Sequence, residues 1–148
     1  GKWDNFDPEN AMVIPSLMNR IVSGESPLVC WGDGTPIRDF IYAGDCAAGM
    51  IHMVENGITE PVNLGSGTGI TIKNVAETIR TCYNKDIQIE WDITKPKGDA
   101  KRVMDTSRAE SHGFKCKTDI EKGIKETMDW FLENKELYKK RKNYFAKE

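Results

Sequence analysis

An α/β fold with short strands and several helices is the architecture that this sequence predicts. Segments with apolar residues at helical spacing alternate with shorter segments that are rich in β-branched and aromatic residues. The chain has 148 residues, of which 39% are apolar and 30% charged, as is usual for one globular domain. We therefore expect a single domain that spans residues 1–148.

Each predicted element depends on a local pattern. Helices are predicted where apolar residues recur every three or four positions, and strands where β-branched or aromatic residues cluster or alternate. The elements are a helix at 10–23, strands at 28–31 and 38–42, a helix at 45–55, a strand at 61–64, a helix at 71–83, a strand at 87–91, and helices that begin near 107 and 118. The last two starts are marked by capping boxes. The helix at 45–55 is expected to face the core with Cys46, Met50, Met53 and Val54.

The turn between the first two strands carries the residues that point most directly to a function. Trp31 precedes this turn and Arg38 follows it, in the string WGDGTPIRDFIY. An aromatic face can stack on a nucleobase, and a guanidinium can bind phosphate oxygens two at a time. Together they predict a clamp for a nucleoside diphosphate. The alternative is a core position for Trp31 and a surface ion pair of Arg38 with Asp33 or Asp39.

A second glycine-rich segment, Gly65–Gly69, follows a predicted strand and precedes a helix, as in dinucleotide-binding units. Its pattern is G-x-G-x-G, and Ile70 stands where a third glycine would let the helix pack closely. Thr71 is a candidate N-cap, whose oxygen would occupy amides that a pyrophosphate needs. A tight turn is therefore the preferred interpretation. A stand-alone nucleotide-binding module that uses this turn remains an alternative, as does a non-catalytic interaction domain.

The composition of the chain argues against several other classes of protein. The net charge of −2 gives no reason to expect a nucleic acid or a membrane as partner, and no apolar run is long enough to cross a bilayer. Four widely spaced cysteines and two histidines argue against a metal site and favour reduced thiols in a cytoplasmic protein. The basic end of the last helix, at 135–142, is explained by its favourable position in the helix dipole.

Five segments, in order, resemble extended short-chain dehydrogenase/reductases of the NAD-dependent epimerase/dehydratase family, in particular those that act on GDP-sugars. They are NFDPEN with VIP at 5–15, the string that begins at Trp31, NLG at 63–65, KPKG at 95–98 where the GDP-sugar enzymes have KPDG, and WFLEN at 130–134. The resemblance covers nearly the whole chain. It implies the C-terminal substrate-binding lobe of such an enzyme, without the N-terminal Rossmann half.

In that family the Rossmann half binds NADP or NAD and carries a Tyr-x-x-x-Lys pair, with the tyrosine as acid/base. Tyr138 and Lys142 have this spacing, but they lie on the polar end of the last helix. We therefore expect a fragment that is not catalytic by itself and binds no cofactor. Its expected partners are a nucleotide-diphosphate sugar, with a GDP-sugar favoured, and the missing Rossmann lobe. The full-length enzyme is expected to be a homodimer.

The resemblance also assigns the candidate site. The substrate-binding positions are Arg20, Trp31, Arg38, Asn63, Lys101 and Arg102. Lys101 stands where relatives carry a phosphate-binding arginine, and a lysine keeps the charge but lacks the planar fork. Met12 stands where the GDP-sugar enzymes carry a histidine, at the meeting point of sugar and nicotinamide. Because methionine cannot transfer a proton, an epimerase, a dehydratase and a reductase all remain open.

Overall fold

A computed structural model describes residues 1–7 and 10–139 of the chain. The helices are α1 (Val13–Val22), α2 (Ala43–Glu55), α3 (Ile72–Tyr83), α4 (Ser107–Ser111) and α5 (Ile120–Lys139). The strands are β1 (Leu28–Trp31), β2 (Ile37–Asp39), β3 (Gly69–Thr71), β4 (Ile89–Asp92) and β5 (Lys101–Arg102). The predicted α/β architecture of short strands and several helices is confirmed. The basic segment at 140–142, including Lys142, lies outside the described residues.

The strands form two small sheets. In the first, β1 runs parallel to β4, with Leu28 opposite Ile89 and Trp31 opposite Asp92. In the second, β2 lies between β3, which is antiparallel to it, and β5, which is parallel. The strands on either side of the Trp31 turn therefore belong to different sheets, and the turn carries the chain from one sheet to the other.

The core lies between α1, α3, α5 and β1. Its largest fully buried side chains are Phe6, Met18, Ile21, Leu28, Val75, Ile79, Ile124 and Met128. Phe6 stacks on Phe131, with ring centroids 4.2 Å apart. Each such side chain contributes roughly 1.5–3 kcal/mol through the apolar surface it removes from water. Because Leu28 and Cys30 are part of this core, β1 is a firmly anchored strand.

Helix α2 begins two residues earlier than predicted and buries a different face. Gly49 and Met53 are buried, whereas Met50 and Val54 are 55% and 79% exposed. The cause is a close approach at Gly49, where a β-carbon would lie 2.8 Å from the ring of Phe114. This contact turns the glycine face inward, so the prediction that Met50 and Val54 are buried is wrong.

The strand predicted at 61–64 is also wrong, since these residues pair with no strand in the described part of the chain. Arg108 donates a hydrogen bond to the carbonyl oxygen of Pro61 instead.

The predicted helix starts agree more closely with the structure than the predicted strands do. Thr71 caps α3 as predicted, by accepting a hydrogen bond from the amide of Asn74 at 3.1 Å. The two predicted capping boxes are each displaced by one residue. Thr106, before Ser107, precedes α4 and makes no side-chain cap hydrogen bond, and at the start of α5 the amide of Lys122 donates to Asp119, 2.7 Å away.

Candidate functional site

Trp31 is the last residue of β1 and faces solvent. Leu28 and Cys30 of the same strand are buried, and Trp31, on the other side of the strand, is 63% exposed. The alternative in which Trp31 is a core aromatic is therefore wrong. The strand presents an indole ring at the surface from a backbone that the core holds in place.

Arg38, in the middle of β2, is held by backbone oxygens. Its Nη1 donates to the carbonyls of Ile37 and Asp99, both at 2.8 Å. Among the described residues Arg38 forms no ion pair. Gly98 lies next to Nη2, because a β-carbon there would be 3.4 Å away. The guanidinium is thus oriented by neutral acceptors, and its charge is not neutralised by a carboxylate.

Arg102 joins Arg38 through strand register. The two residues lie opposite each other on the parallel strands β2 and β5, so their side chains leave the same face of the sheet, about 4.8 Å apart at the backbone. Arg102 forms an ion pair with Asp99 at 2.7 Å. Lys101 is in register with Ile37 and leaves the opposite face. The structure therefore brings Arg102, rather than Lys101, to Arg38.

The connection from β4 to β5, which we call the 93–100 loop, lies against the Trp31 turn. Lys97 Nζ forms an ion pair with Asp33 Oδ2 at 2.8 Å. Hydrogen bonds from Lys97 and Thr35 hold the pKa of the Asp33 carboxyl well below its usual range. Lys95 Nζ lies 5.7 Å from the centroid of the Trp31 ring. These charged residues were not among the predicted site residues, although the KPKG string was a signal for the two lysines.

The carboxylate of Asp39 is the hydrogen-bond partner of backbone amides in the glycine-rich segment. Its carboxylate accepts hydrogen bonds from the amides of Ser66, Gly67 and Met104, at 2.9, 3.0 and 3.2 Å. The amides that a dinucleotide pyrophosphate would need are therefore satisfied within the protein, and Thr71 caps the helix that follows. The interpretation of Gly65–Gly69 as a structural turn agrees with these contacts.

Two other predicted site residues, Arg20 and Asn63, have hydrogen-bond partners away from this cluster. Arg20 Nε donates to Glu25 at 2.7 Å, and Arg20 Nη2 donates to the carbonyl of Val29 in β1 at 2.5 Å. The hydrogen bond with Glu25 raises the pKa of Arg20. Asn63 donates to the carbonyl of Asp105 at 3.2 Å.

Met12 immediately precedes α1 and is 76% exposed. It borders an apolar cavity of about 140 Å³, whose other lining residues include Ile14, Ile41, Tyr42 and Ile120. This cavity lies between the N-termini of α1 and α5 and the segment that leads into α2. Met12 thus supplies apolar surface at the cavity, with no group that could move a proton.

The described residues contain no group of three or more His, Cys, Asp or Glu side chains arranged to hold a metal ion. The four cysteines are free thiols. Burial raises the pKa of Cys30 to about 11, which makes this thiol unreactive at neutral pH. In the same part of the chain, no helix is both long and apolar enough to cross a membrane.

Comparison with known proteins gives consistent matches. The model of the NAD dependent epimerase/dehydratase family matches residues 1–65. GDP-L-fucose synthase 1 of Arabidopsis thaliana is 37% identical over 140 residues, which are 90% of this chain and 43% of that protein. A GDP-L-fucose synthetase from Naegleria fowleri, solved bound to NADP, has a TM-score of 0.81 and 31% identity, over 92% of this chain and 44% of that one. A UDP-N-acetylglucosamine 4-epimerase from Methanobrevibacter ruminantium M1, in complex with UDP-N-acetylmuramic acid, has a TM-score of 0.76 and 32% identity, over 86% and 42%.

The chain is thus similar to the NAD-dependent epimerase/dehydratase family, whose model matches its first 65 residues. Within that family it is similar to GDP-L-fucose synthases over nine tenths of its length, so the resemblance seen in the sequence is confirmed. The chain spans less than half the length of the curated relatives that it matches.

Proposed function

We propose that this chain is the nucleotide-sugar-binding portion of an NAD(P)-dependent epimerase/reductase similar to GDP-L-fucose synthase, and that it does not catalyse the reaction alone. The nucleoside diphosphate of a GDP-sugar is held between Trp31 and the Arg38–Arg102 pair. One observation carries the proposal. An exposed indole on a core-anchored strand is followed closely in the sequence by Arg38, and strand register places Arg38 beside Arg102.

The two halves of this site suit the two halves of a nucleoside diphosphate. Stacking of a base on an aromatic side chain contributes about 1–3 kcal/mol, and Trp31 has most of its surface free for it. Arg38 uses one nitrogen for backbone carbonyls, which orients the guanidinium and leaves its other donors for phosphate oxygens. Arg102 adds a second guanidinium on the same face of the sheet, although its charge is paired with Asp99.

The glycine-rich segment Gly65–Gly69 does not suit a dinucleotide cofactor. The amides of Ser66 and Gly67, which are the candidates for a pyrophosphate, already donate to Asp39. We therefore place NADP or NAD, whose chemistry is hydride transfer, on a second lobe that the intact enzyme supplies. The part played by this chain is to hold the nucleotide, so that binding energy from a remote group positions the sugar for reaction.

Helix α2 supports the existence of a second lobe. Its buried side carries Gly49 and Met53, yet its opposite side is also apolar and exposed. The exposed apolar residues are Ala43, Ala47, Met50, Ile51 and Val54, which recur at helical spacing. A helix that is apolar on all sides is typical of a buried one. The proposed cofactor-binding lobe would cover this face and offer residues 61–64 a strand to pair with.

Calorimetric titration of the chain with GDP, UDP, CDP, dTDP, NAD and NADP tests the proposal. We expect one nucleoside diphosphate, GDP, to bind in preference to the others and to both cofactors. Trp31→Ala should weaken that binding at least tenfold, the equivalent of about 1.4 kcal/mol of lost stacking. Trp3→Ala is the matched control, because Trp3 is 68% exposed but packs on Trp130, away from the site. Preferred binding of NAD or NADP, or equal binding by the Trp31→Ala variant, would contradict the proposal.

A second arm uses the complete enzyme. In a full-length polypeptide that contains this chain, Arg38→Ala should raise KM for the nucleotide sugar far more than it lowers kcat. The reason is that Arg38 contributes to ground-state and transition-state binding alike. An unchanged KM would show that Arg38 only supports β2 and the 93–100 loop.

A further inference from the structure

The 93–100 loop carries two lysines with different surroundings. Lys97 is neutralised by Asp33, 2.8 Å away. Lys95 is part of no ion pair with a described residue, and its Nζ lies 5.7 Å from the centroid of the exposed Trp31 ring. A cation at this distance from an indole is attracted by the ring. Lys95 is therefore an available positive charge beside the surface on which the base is proposed to stack.

The position of the loop is fixed at both ends. At its start, Asp92 Oδ1 accepts a hydrogen bond from the amide of Thr94 at 3.0 Å. At its end, the amide of Ile37 donates to the carbonyl of Ala100 at 2.9 Å. Both contacts connect the loop to the end of a strand and so restrain its two ends.

The middle of the loop is held by the Trp31 turn. Asp33 Oδ1 accepts hydrogen bonds from the amide and hydroxyl of Thr35, at 3.0 and 2.6 Å, which fixes the carboxylate. Its other oxygen binds Lys97. Gly32, at φ +77°, allows the close approach, since a β-carbon there would lie 2.8 Å from Cβ of Lys97.

We propose that Lys95 is a nucleotide-binding residue that donates to acceptor atoms of the base, and that the Asp33–Lys97 ion pair positions it beside Trp31. This assignment depends on the proposed function above, because it requires a base on Trp31. An ammonium group is a donor only, and guanine presents two adjacent acceptors, O6 and N7. Adenine presents an amino group where guanine has O6. Lys95 therefore favours GDP over ADP.

The test for Lys95 is calorimetric titration of the chain with GDP, ADP and inorganic pyrophosphate. Lys95→Met should weaken GDP binding by roughly fivefold to tenfold, as expected for one lost charge-assisted hydrogen bond at an open site. It should change ADP and pyrophosphate binding by less than about twofold, so that the preference for GDP shrinks. Lys125→Met is the control, because Lys125 pairs with Asp129 on the exposed side of α5, at 2.7 Å. An equal loss for all three ligands would show that Lys95 acts on phosphate and overturn the assignment to the base.

A double-mutant cycle tests the positioning pair. Asp33→Asn keeps an oxygen for Thr35 but loses the charge, and Lys97→Met removes the partner. If the pair acts as a unit, each single variant weakens GDP binding and the double variant is no weaker than either. Without ligand, both single variants should also speed amide exchange in residues 94–100, and Lys125→Met should not.

Three results would be decisive against the assignment. Additive losses in the cycle would show that Asp33 and Lys97 act separately, and unchanged amide exchange would show that the ion pair does not hold the loop. Tight GDP binding by wild type and every variant would leave the proposed function standing and remove Lys95 from the site. Absence of nucleotide binding by wild type would refute the proposed function, and the assignment of Lys95 with it.

Discussion

The half-buried carboxylate of Asp39 should be a large contributor to stability, although it lies beside a glycine-rich turn that resembles a ligand site. Three backbone amides, of Ser66, Gly67 and Met104, donate to it. These contacts join β2 to the turn before β3 and to the segment after β5. Asp39→Ala would leave all three amides without their acceptor, and Asp39→Asn would place an NH₂ group against some of them.

The magnitude follows from the number of donors. A hydrogen bond to a charged group contributes about 1.5–3 kcal/mol, and water can replace part of each bond because the site is not fully buried. With roughly 1 kcal/mol lost per amide, Asp39→Ala should lower the free energy of unfolding by about 3 kcal/mol. Asp39→Asn keeps one oxygen acceptor, so its loss should be about 2 kcal/mol despite its identical shape.

Urea unfolding followed by circular dichroism measures both values, with Asp129→Asn as the control. Asp129 pairs with Lys125 at the surface, and such pairs contribute about 0–1 kcal/mol. An Asp39→Asn variant within about 0.5 kcal/mol of wild type would show that the carboxylate does not hold these amides. The amides would then be available to a ligand, and the turn would again be a candidate anion site.

Two further predictions concern stability. The hydrogen bond from Arg20 lowers the pKa of Glu25 despite partial burial. The ionised Glu25 therefore stabilises the folded state fully above the ordinary pKa of glutamate, and this contribution is lost as pH falls through the lower pKa of the folded state. Thermal unfolding from neutral to acidic pH should therefore show a smaller loss of Tm for Glu25→Gln than for wild type, and parallel curves would contradict this. Thr71→Ala should lower the free energy of unfolding by about 1 kcal/mol, by urea unfolding, since it removes the N-cap of α3. Thr71→Ser should retain most of that stability, and a loss equal to that of alanine would show that the hydroxyl makes no cap.

Sequence patterns within single short segments predicted the positions of the helices well. The apolar spacing and the cap at Thr71 locate α3, because both are encoded within a single turn of the chain. Strands were harder, since a strand exists only where a partner lies beside it. Residues 61–64 have suitable composition but pair with no described strand, and β5 has only two exposed residues, too few for any pattern.

Part of the candidate site was predictable because some of its residues lie in one continuous segment of the sequence. Trp31 and Arg38 stand in one contiguous string, so their residue types could be recognised together. The choice of Arg102 over Lys101 depends on strand register, which a sequence of two charged residues does not contain. The contact of Asp33 with Lys97 joins residues 64 positions apart, and only the folded chain brings them together.

The way in which β2 and β5 pair has a consequence for how specificity can diverge. Register alone fixes Arg38 beside Arg102, whereas Lys95 and Lys97 belong to a connection outside both sheets. If the proposed function holds, substitutions or insertions in that connection can change which base is accepted while Arg38 and Arg102 keep their positions. In the proposed site the common part of every sugar nucleotide is bound by the sheet, and the variable part by a loop that is free to evolve.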